Sequence, residues 1–134
     1  MPKTPINPES VFRSLEYGFS QAVLASGRQT LYLSGQTAWD AEKQIVGGRD
    51  LGAQARQAFM NIRRLVEAAG GRLDDVVSLR IYTVDYRPEH AAVVGSALRE
   101  CFPGPTMPAS TWLGVSSLAR PEFLIEVEAV AVLE

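Results

Sequence analysis

The sequence predicts an α+β fold in which two helices pack on one face of a sheet. The main observation is the order of the elements, because strand patterns stand before, between and after two amphipathic helix patterns. A second observation is the alternation of side chains from about Glu122 to Leu133, which gives the last strand two different faces. The 134 residues predict one domain, 1–134, whose residues 1–15 form an irregular arm.

Two short strands are predicted directly after this arm. Gln21 to Ala25 and Thr30 to Ser34 are apolar runs of strand length, and Ser26-Gly27-Arg28 between them is typical of a turn. They are therefore predicted as two strands joined by that turn.

The clearest helix follows these strands. Asp50 can serve as its N-cap, and Gly70-Gly71 is a C-terminal stop. Apolar residues recur between these ends at helical spacing: Ala55, Ala58, Phe59, Ile62, Leu65, Val66 and Ala69. Polar residues lie largely off this stripe, namely Gln54, Gln57, Asn61, Arg64 and Glu67. One face of the helix is therefore predicted to be buried and the other solvated.

A strand and a second helix come next. Val76 to Val84 alternates, with Val77, Leu79 and Ile81 on one face and Ser78, Arg80 and Tyr82 on the other. The second helix is predicted to begin near Pro88, a residue suited to a first helical turn, and to end at Pro103-Gly104-Pro105. Its apolar stripe consists of Ala91, Val94, Leu98, Cys101 and Phe102.

The last two strands are predicted over Ser110 to Val115 and about Glu122 to Leu133. One face of the final strand is apolar: Phe123, Ile125, Val127, Ala129 and Ala131. Its other face mixes aliphatic and acidic side chains: Leu124, Glu126, Glu128, Val130 and Val132. Two helices cannot cover both faces of the sheet. The sequence therefore predicts an oligomer that buries the mixed face, with the glutamates lining clefts between subunits.

Composition excludes several classes of function. A formal net charge of −2 and a pI near 5.5 argue against nucleic acid as the main partner, and a solvated helix face explains Arg56, Arg63 and Arg64. The lone Cys101 cannot form an internal disulfide, and no signal peptide or membrane-spanning run is evident. A cytoplasmic protein with no membrane partner is expected.

Several kinds of catalytic site are also disfavoured. The single histidine, His90, is predicted at the surface, which argues against a metal site and against a nucleophilic triad. Gly47-Gly48 lacks the lysine and the strand-to-helix context of a phosphate-binding loop.

The order and spacing of several short segments resemble the RidA/YjgF family of imine and enamine deaminases. These segments are Phe19-Ser20-Gln21-Ala22-Val23, Ser34-Gly35-Gln36, Gln54-Ala55, Asn61-Ile62, Ala68-Ala69-Gly70, Asp75-Val76-Val77, Val84-Asp85, Pro108-Ala109 and Ile125-Glu126-Val127-Glu128-Ala129. The resemblance implies a chorismate-mutase-like fold with a single mixed sheet. It also implies a homotrimer with small-molecule sites at the subunit interfaces and no cofactor.

The resemblance also implies roles for individual residues. Glu126 matches the glutamate proposed to position or activate the attacking water, and its neighbour Glu128 shares its strand face. The substrate-binding residues would come from three segments: Phe19, Ser34-Gly35-Gln36 and Ser110-Thr111-Trp112. An interface salt bridge to another subunit is the alternative role for either glutamate.

Several residues depart from the family pattern. Ser110 replaces the arginine that clamps the substrate carboxylate, and Phe19 replaces a tyrosine. Gly95 falls where an asparagine is common. Trp112 stands where a small residue or cysteine is usual, so it would favour a flat or apolar ligand unless it is an ordinary packing residue. Arg80 and Arg120 are candidates by type for a replacement cation, and Trp39 could close over the same cleft.

Three functions follow from these residues. The first is hydrolysis of an imine or enamine that is not a small 2-imino acid, because serine cannot replace a bidentate guanidinium. The second is a non-catalytic trimer that binds a small metabolite or acts in regulation. RNA cleavage, a label that family relatives sometimes carry, is disfavoured by the acidic charge balance and the single histidine.

Overall fold

The computed structural model describes residues 3–102 and 107–134 of the chain. Its elements in chain order are β1 (Lys3–Ile6), β2 (Ala22–Ala25), β3 (Gln29–Gln36), α1 (Leu51–Ala68), β4 (Val76–Val84), α2 (Pro88–Cys101), β5 (Ala109–Val115) and β6 (Ile125–Leu133). Short 3₁₀ turns at Leu15–Tyr17 and Leu73–Asp75 precede β2 and β4. Within the two described ranges, no helix is both long and apolar enough to cross a membrane.

The main sheet has four strands in the order β3-β6-β4-β5. The β3–β6 and β6–β4 pairs are antiparallel, and β4–β5 is parallel with α2 as its crossover. Both helices pack on one face, where α1, α2 and the inward side chains of the sheet form the core. The predicted α+β fold with two helices on one face of a mixed sheet is confirmed.

The alternation predicted for the last strand is also confirmed. Ile125, Val127 and Ala129 are buried against the helices, whereas Glu126 and Glu128 lie half-buried on the other face. We call this second face, on which no helix packs, the open face. It carries Tyr32, whose exposed fraction is 78%, and Leu113, at 40%.

Two expectations about local structure were wrong. Residues 3–6 of the supposedly irregular arm form β1, which pairs with β2, and Lys3 Nζ donates hydrogen bonds to the carbonyl oxygens of Asp74 and Val76. The predicted strands β2 and β3 are both present, and they belong to different sheets. A register shift at the start of β4 buries Val76 and leaves Val77 only half-buried.

The predicted helix starts are confirmed. Asp50 caps α1 by accepting a hydrogen bond from the Ala53 amide, and α2 begins at Pro88. The predicted stop at residues 103–105 falls outside the described residues. Three residues in or directly after α1 contradict the predicted faces. Gln54 was assigned to the solvated side and is completely buried, whereas Leu65 and Ala69 were assigned to the apolar stripe and are exposed.

Gln54 joins the start of α1 to the entrance of β6. Its Nε2 donates to the carbonyl oxygens of Gly48 at 2.7 Å and Glu122 at 2.9 Å. Its Oε1 accepts from the Leu124 amide at 2.9 Å. One completely buried amide side chain therefore hydrogen-bonds three backbone groups, and the last of them, at Leu124, lies two residues before Glu126.

We predict that Gln54→Leu lowers the free energy of unfolding by about 2–4 kcal/mol, because it removes the three hydrogen bonds that this buried side chain makes to the backbone. Chemical denaturation measures this loss. Gln57→Leu is the matched control on the same helix, since Gln57 makes only a side-chain hydrogen bond with Asn61. Equal loss of stability in both variants would contradict the role assigned to Gln54.

Candidate functional site

The carboxylate of Glu126 lies directly against Gly35, where β3 and β6 meet on the open face. A Cβ atom at residue 35 would lie 2.0 Å from Oε2 of Glu126 and 2.7 Å from its carboxyl carbon. Any side chain at residue 35 would therefore displace the carboxylate. Residue 35 of the Ser34-Gly35-Gln36 segment must therefore be glycine for the Glu126 carboxylate to occupy its position.

A β-bulge creates this arrangement. Leu33 pairs with Ala129, but Gln36 pairs with Val127, so β3 contains one more residue than β6 between these pairs. Ser34 is exposed in the bulge, and its carbonyl oxygen accepts a hydrogen bond of 3.1 Å from Gln36 Nε2. The structure therefore brings Gly35 against Glu126, with Ser34 in the bulge beside it. Gln36 instead pairs with Val127, which faces the helices.

Glu126 and Glu128 have different surroundings although they share the open face. Glu128 accepts a hydrogen bond from the Tyr82 hydroxyl, and its Oε1 lies 3.9 Å from Arg80 Nη1. The hydrogen bond to Glu128 raises the pKa of Tyr82, because only the protonated phenol can donate it. Within residues 3–102 and 107–134, the Glu126 carboxylate has no hydrogen bond or ion pair. Of the two glutamates, it is therefore the one whose carboxylate no described side chain engages.

A groove of about 380 Å³ runs from Gly35 and Gln36 to Trp39 and α1. Asn61 fixes the loop at this groove, because its Nδ2 donates to the carbonyl oxygens of Thr37 at 3.1 Å and Trp39 at 2.9 Å. Sequence reasoning placed Asn61 only on the polar side of α1. Asn61 directly precedes Ile62 of the apolar stripe. This position at the edge of the stripe was the feature of the sequence that could have indicated a partly buried contact.

Trp39 forms one wall of this groove. Its ring packs edge-to-face on Phe123 with 5.0 Å between centroids, and the Arg120 guanidinium carbon lies 5.4 Å from its centroid. The guanidinium of Arg120 is therefore held beside the groove that Gly35 lines, through a cation–π contact.

A second group of the predicted residues lies on the helix side of the sheet. Ser110 pairs with Leu79 and Trp112 pairs with Ile81, and paired residues of neighbouring strands point to the same face. The Trp112 indole Nε1 donates a 2.9 Å hydrogen bond to Ser110 Oγ. The Phe19 ring lies 5.7 Å from the indole. Ser110 therefore orients Trp112 against Phe19.

Gly95 and Arg99 stand beside this second group. A Cβ atom at Gly95 would lie 3.0 Å from the Tyr17 carbonyl oxygen and 3.7 Å from Cη2 of Trp112. Arg99, one helical turn later, donates from Nη1 to the Glu16 carbonyl oxygen at 3.1 Å. Sequence reasoning missed Arg99, although its spacing of four residues places it on the same helix face as Gly95. The candidate Arg80 lies on the opposite face of the sheet from Ser110.

The predicted residues therefore form two groups on opposite faces of one sheet. The Glu126 group contains Ser34, Gly35 and Glu126, and the Trp112 group contains Phe19, Ser110 and Trp112. Gln36 joins neither, because it pairs with Val127 and lines the groove toward α1. Thr111 also joins neither, because it pairs with Arg80 on the open face and β4 separates it from Glu126. In the described part of the chain, no group of three or more histidine, cysteine, aspartate or glutamate side chains could hold a metal ion.

The chain is similar to known proteins over almost its whole length. Residues 13–133 match the family model described as endoribonuclease L-PSP. A protein of Dermatophagoides farinae named 2-iminobutanoate/2-iminopropanoate deaminase is 30% identical over 131 residues, covering 98% of this chain and 94% of that protein.

Solved structures show the same relationship. The chain superposes on YyfB of Yersinia pestis, a Rid-family protein of unknown function, with a TM-score of 0.95, 40% identity and coverage of 99% of this chain and 100% of that one. RidA from the Antarctic bacterium Psychrobacter gives a TM-score of 0.69 at 33% identity, covering 85% of this chain and 87% of that one. The resemblance inferred from the short segments is confirmed: the chain belongs to the RidA/YjgF family.

Proposed function

We propose that this protein is a RidA-like deaminase that hydrolyses a reactive imine or enamine to a carbonyl compound and ammonia. The observation that carries the proposal is the Glu126 carboxylate, which lies on a glycine at a β-bulge without a hydrogen-bonding or ion-pair partner among the described residues. The deaminase name of the Dermatophagoides relative supports the same reaction class.

The proposed reaction needs a single acid–base group. Glu126 accepts a proton from a water molecule as the water oxygen attacks the imine carbon. It then gives that proton to the nitrogen, which yields a carbinolamine. Glu126 next moves the proton of the new hydroxyl group to the amine nitrogen, so that the C–N bond breaks, ammonia leaves and the C=O bond forms. An enamine enters the same route after a proton has moved from its nitrogen to its β-carbon, which gives the imine. No cofactor takes part in this scheme.

Assembly would complete the site. The Glu126 and Trp112 groups lie on opposite faces of the sheet, so one copy of the chain cannot surround a ligand with both. Packing the open face of one copy against the next would cover Tyr32 and bring the two groups to one interface. A closed ring of three copies gives three such sites, in keeping with the homotrimers typical of the family. The proposal takes 1–134 as one RidA-like domain of a cytoplasmic protein.

The substrate would not be a small 2-imino acid. Ser110 offers a carboxylate one neutral donor, and its oxygen already accepts the hydrogen bond from Trp112. A guanidinium at this position would instead give two parallel, charge-assisted hydrogen bonds. Recognition of the substrate therefore depends on contacts other than this clamp.

The alternative function is a non-catalytic trimer that binds a small metabolite or acts in regulation. The observation that favours it is the joint replacement of three polar family residues by Phe19, Ser110 and Gly95. Ammonia release above the uncatalysed rate from any member of a panel of bulky, aromatic and uncharged imines would exclude this alternative. Ligand-induced thermal stabilisation without turnover would support it instead.

We predict that Glu126→Gln lowers kcat by roughly 100-fold or more, because the amide has the shape of the carboxyl group but cannot accept the proton. Steady-state ammonia release on the best imine of the panel measures the loss. Glu128→Gln is the matched control on the same strand face and should change kcat by less than about threefold. Similar losses in both variants, or none in Glu126→Gln, would contradict the role of Glu126.

We also predict that Ser110→Arg raises kcat/KM on 2-iminopropanoate by roughly 10-fold or more, alone or combined with Trp112→Cys where the indole blocks the new side chain. Thr111→Arg adds the same charge one residue away but on the open face, so it should give no gain. If Ser110→Arg gives no gain with either residue at position 112, the missing guanidinium does not explain the altered specificity.

A further inference from the structure

Four aromatic rings form a connected cluster beside the start of β5. Phe12 contacts Tyr17 and Phe19 with 6.3 Å between ring centroids in each pair, and Phe19 contacts Trp112 at 5.7 Å. We call these four rings the aromatic wall. Phe12 is 62% exposed and Tyr17 is 50% exposed, so a large part of the apolar surface of the wall is accessible to solvent. Neither ring belongs to the site residues that the sequence predicts.

The backbone around the wall is held by hydrogen bonds. The Phe12 carbonyl oxygen accepts from Gln21 Nε2 at 3.0 Å, and the Tyr17 amide donates to the Ser14 carbonyl oxygen at 2.9 Å. Ser20 joins this segment to the entrance of β5, because its amide donates to the Pro108 carbonyl oxygen and its hydroxyl to that of Met107. The exposed rings therefore belong to a segment whose backbone is already ordered. Binding a ligand would cost this segment little conformational entropy.

Open space adjoins the wall. A cavity of about 420 Å³ is lined by residues of the segment 7–15, with Val11, Phe12 and Leu15 as its apolar members. This volume is in the range of small-molecule sites. At the other end of the wall, the Ser110 hydroxyl fixes the indole of Trp112. The position that would hold a carboxylate clamp therefore serves to orient an aromatic ring.

We infer that the substrate is an imine or enamine with an aromatic side chain, which stacks on the wall formed by Phe12, Tyr17, Phe19 and Trp112. Ring–ring contacts contribute beyond simple burial of apolar area, and the partly exposed rings of Phe12 and Tyr17 are available for them. This inference rests on the proposed deaminase function, since it names the substrate class of the same site.

Turnover tests the inference with two imines made in situ by an amino-acid oxidase, one from phenylalanine and one from alanine. The wild-type protein should show a kcat/KM at least about tenfold higher for the phenylalanine-derived imine. Phe12→Ala and Phe12→Leu should each lower that value by roughly 3- to 10-fold and leave the alanine-derived imine within about twofold. Leu24→Ala, which truncates a 69% exposed side chain on β2, is the control and should change neither value.

Binding tests the same subsite without turnover. The protein is titrated with 3-phenylpropanoate and with propanoate, and binding is followed by tryptophan fluorescence. 3-Phenylpropanoate should bind at least about tenfold more tightly than propanoate, and Phe12→Ala should remove this difference in affinity. Equal affinities, or a preference that Phe12→Ala leaves intact, would overturn the aromatic subsite. Absent turnover of every imine combined with a preserved binding preference would overturn the deaminase function alone.

The main alternative to a substrate on the aromatic wall is a neighbouring copy of the chain that covers it, and the oligomeric state distinguishes the two. If a neighbouring copy covers the wall, Phe12→Ala should weaken the assembly and reduce turnover of both imines equally. If the wall binds the substrate, light scattering should show the wild-type molar mass for each variant. A change in mass accompanied by equal losses on both substrates would overturn the inference.

Discussion

The position of Glu126 depends on the absence of a side chain at residue 35. The bulge in β3 brings Gly35 under the carboxylate, and a Cβ atom there would lie 2.0 Å from Oε2. The entrance of β6 is fixed from the other side by the buried amide of Gln54, which holds the Leu124 amide at 2.9 Å. A helix and a neighbouring strand therefore determine where the Glu126 carboxylate lies.

Strand pairing imposes the second constraint on the site. Adjacent residues of a strand point to opposite faces, so Ser110 and Trp112 face the helices whereas Thr111 faces the same side as Glu126. The Glu126 group and the Trp112 group are therefore separated by the sheet. If both act on one ligand, they must come from different copies of the chain, and the uncovered Tyr32 and Leu113 supply apolar surface for that contact.

Local patterns predicted much of the fold and less of the site. The stripe of α1, the bounds of β4 and the alternation of β6 follow from periodicity, which is a property of neighbouring residues. The burial of Gln54, the pairing of β1 with β2 and the shift that buries Val76 depend on partners distant in sequence. The aromatic wall was missed for the same reason, since Phe12 lies in a segment without periodicity and meets Phe19 only through the fold.

Subunit complementation tests most directly whether one site combines the two groups. Glu126→Gln and Trp112→Ala are each purified, shown by light scattering to keep the wild-type molar mass, then mixed, dissociated and reassembled. If the two groups of one site come from different copies, about one quarter of the sites in an equal random mixture have both an intact Glu126 and an intact Trp112. Deaminase activity should then recover to about one quarter of the wild-type activity. Activity that never exceeds the average of the two parent variants would contradict the account.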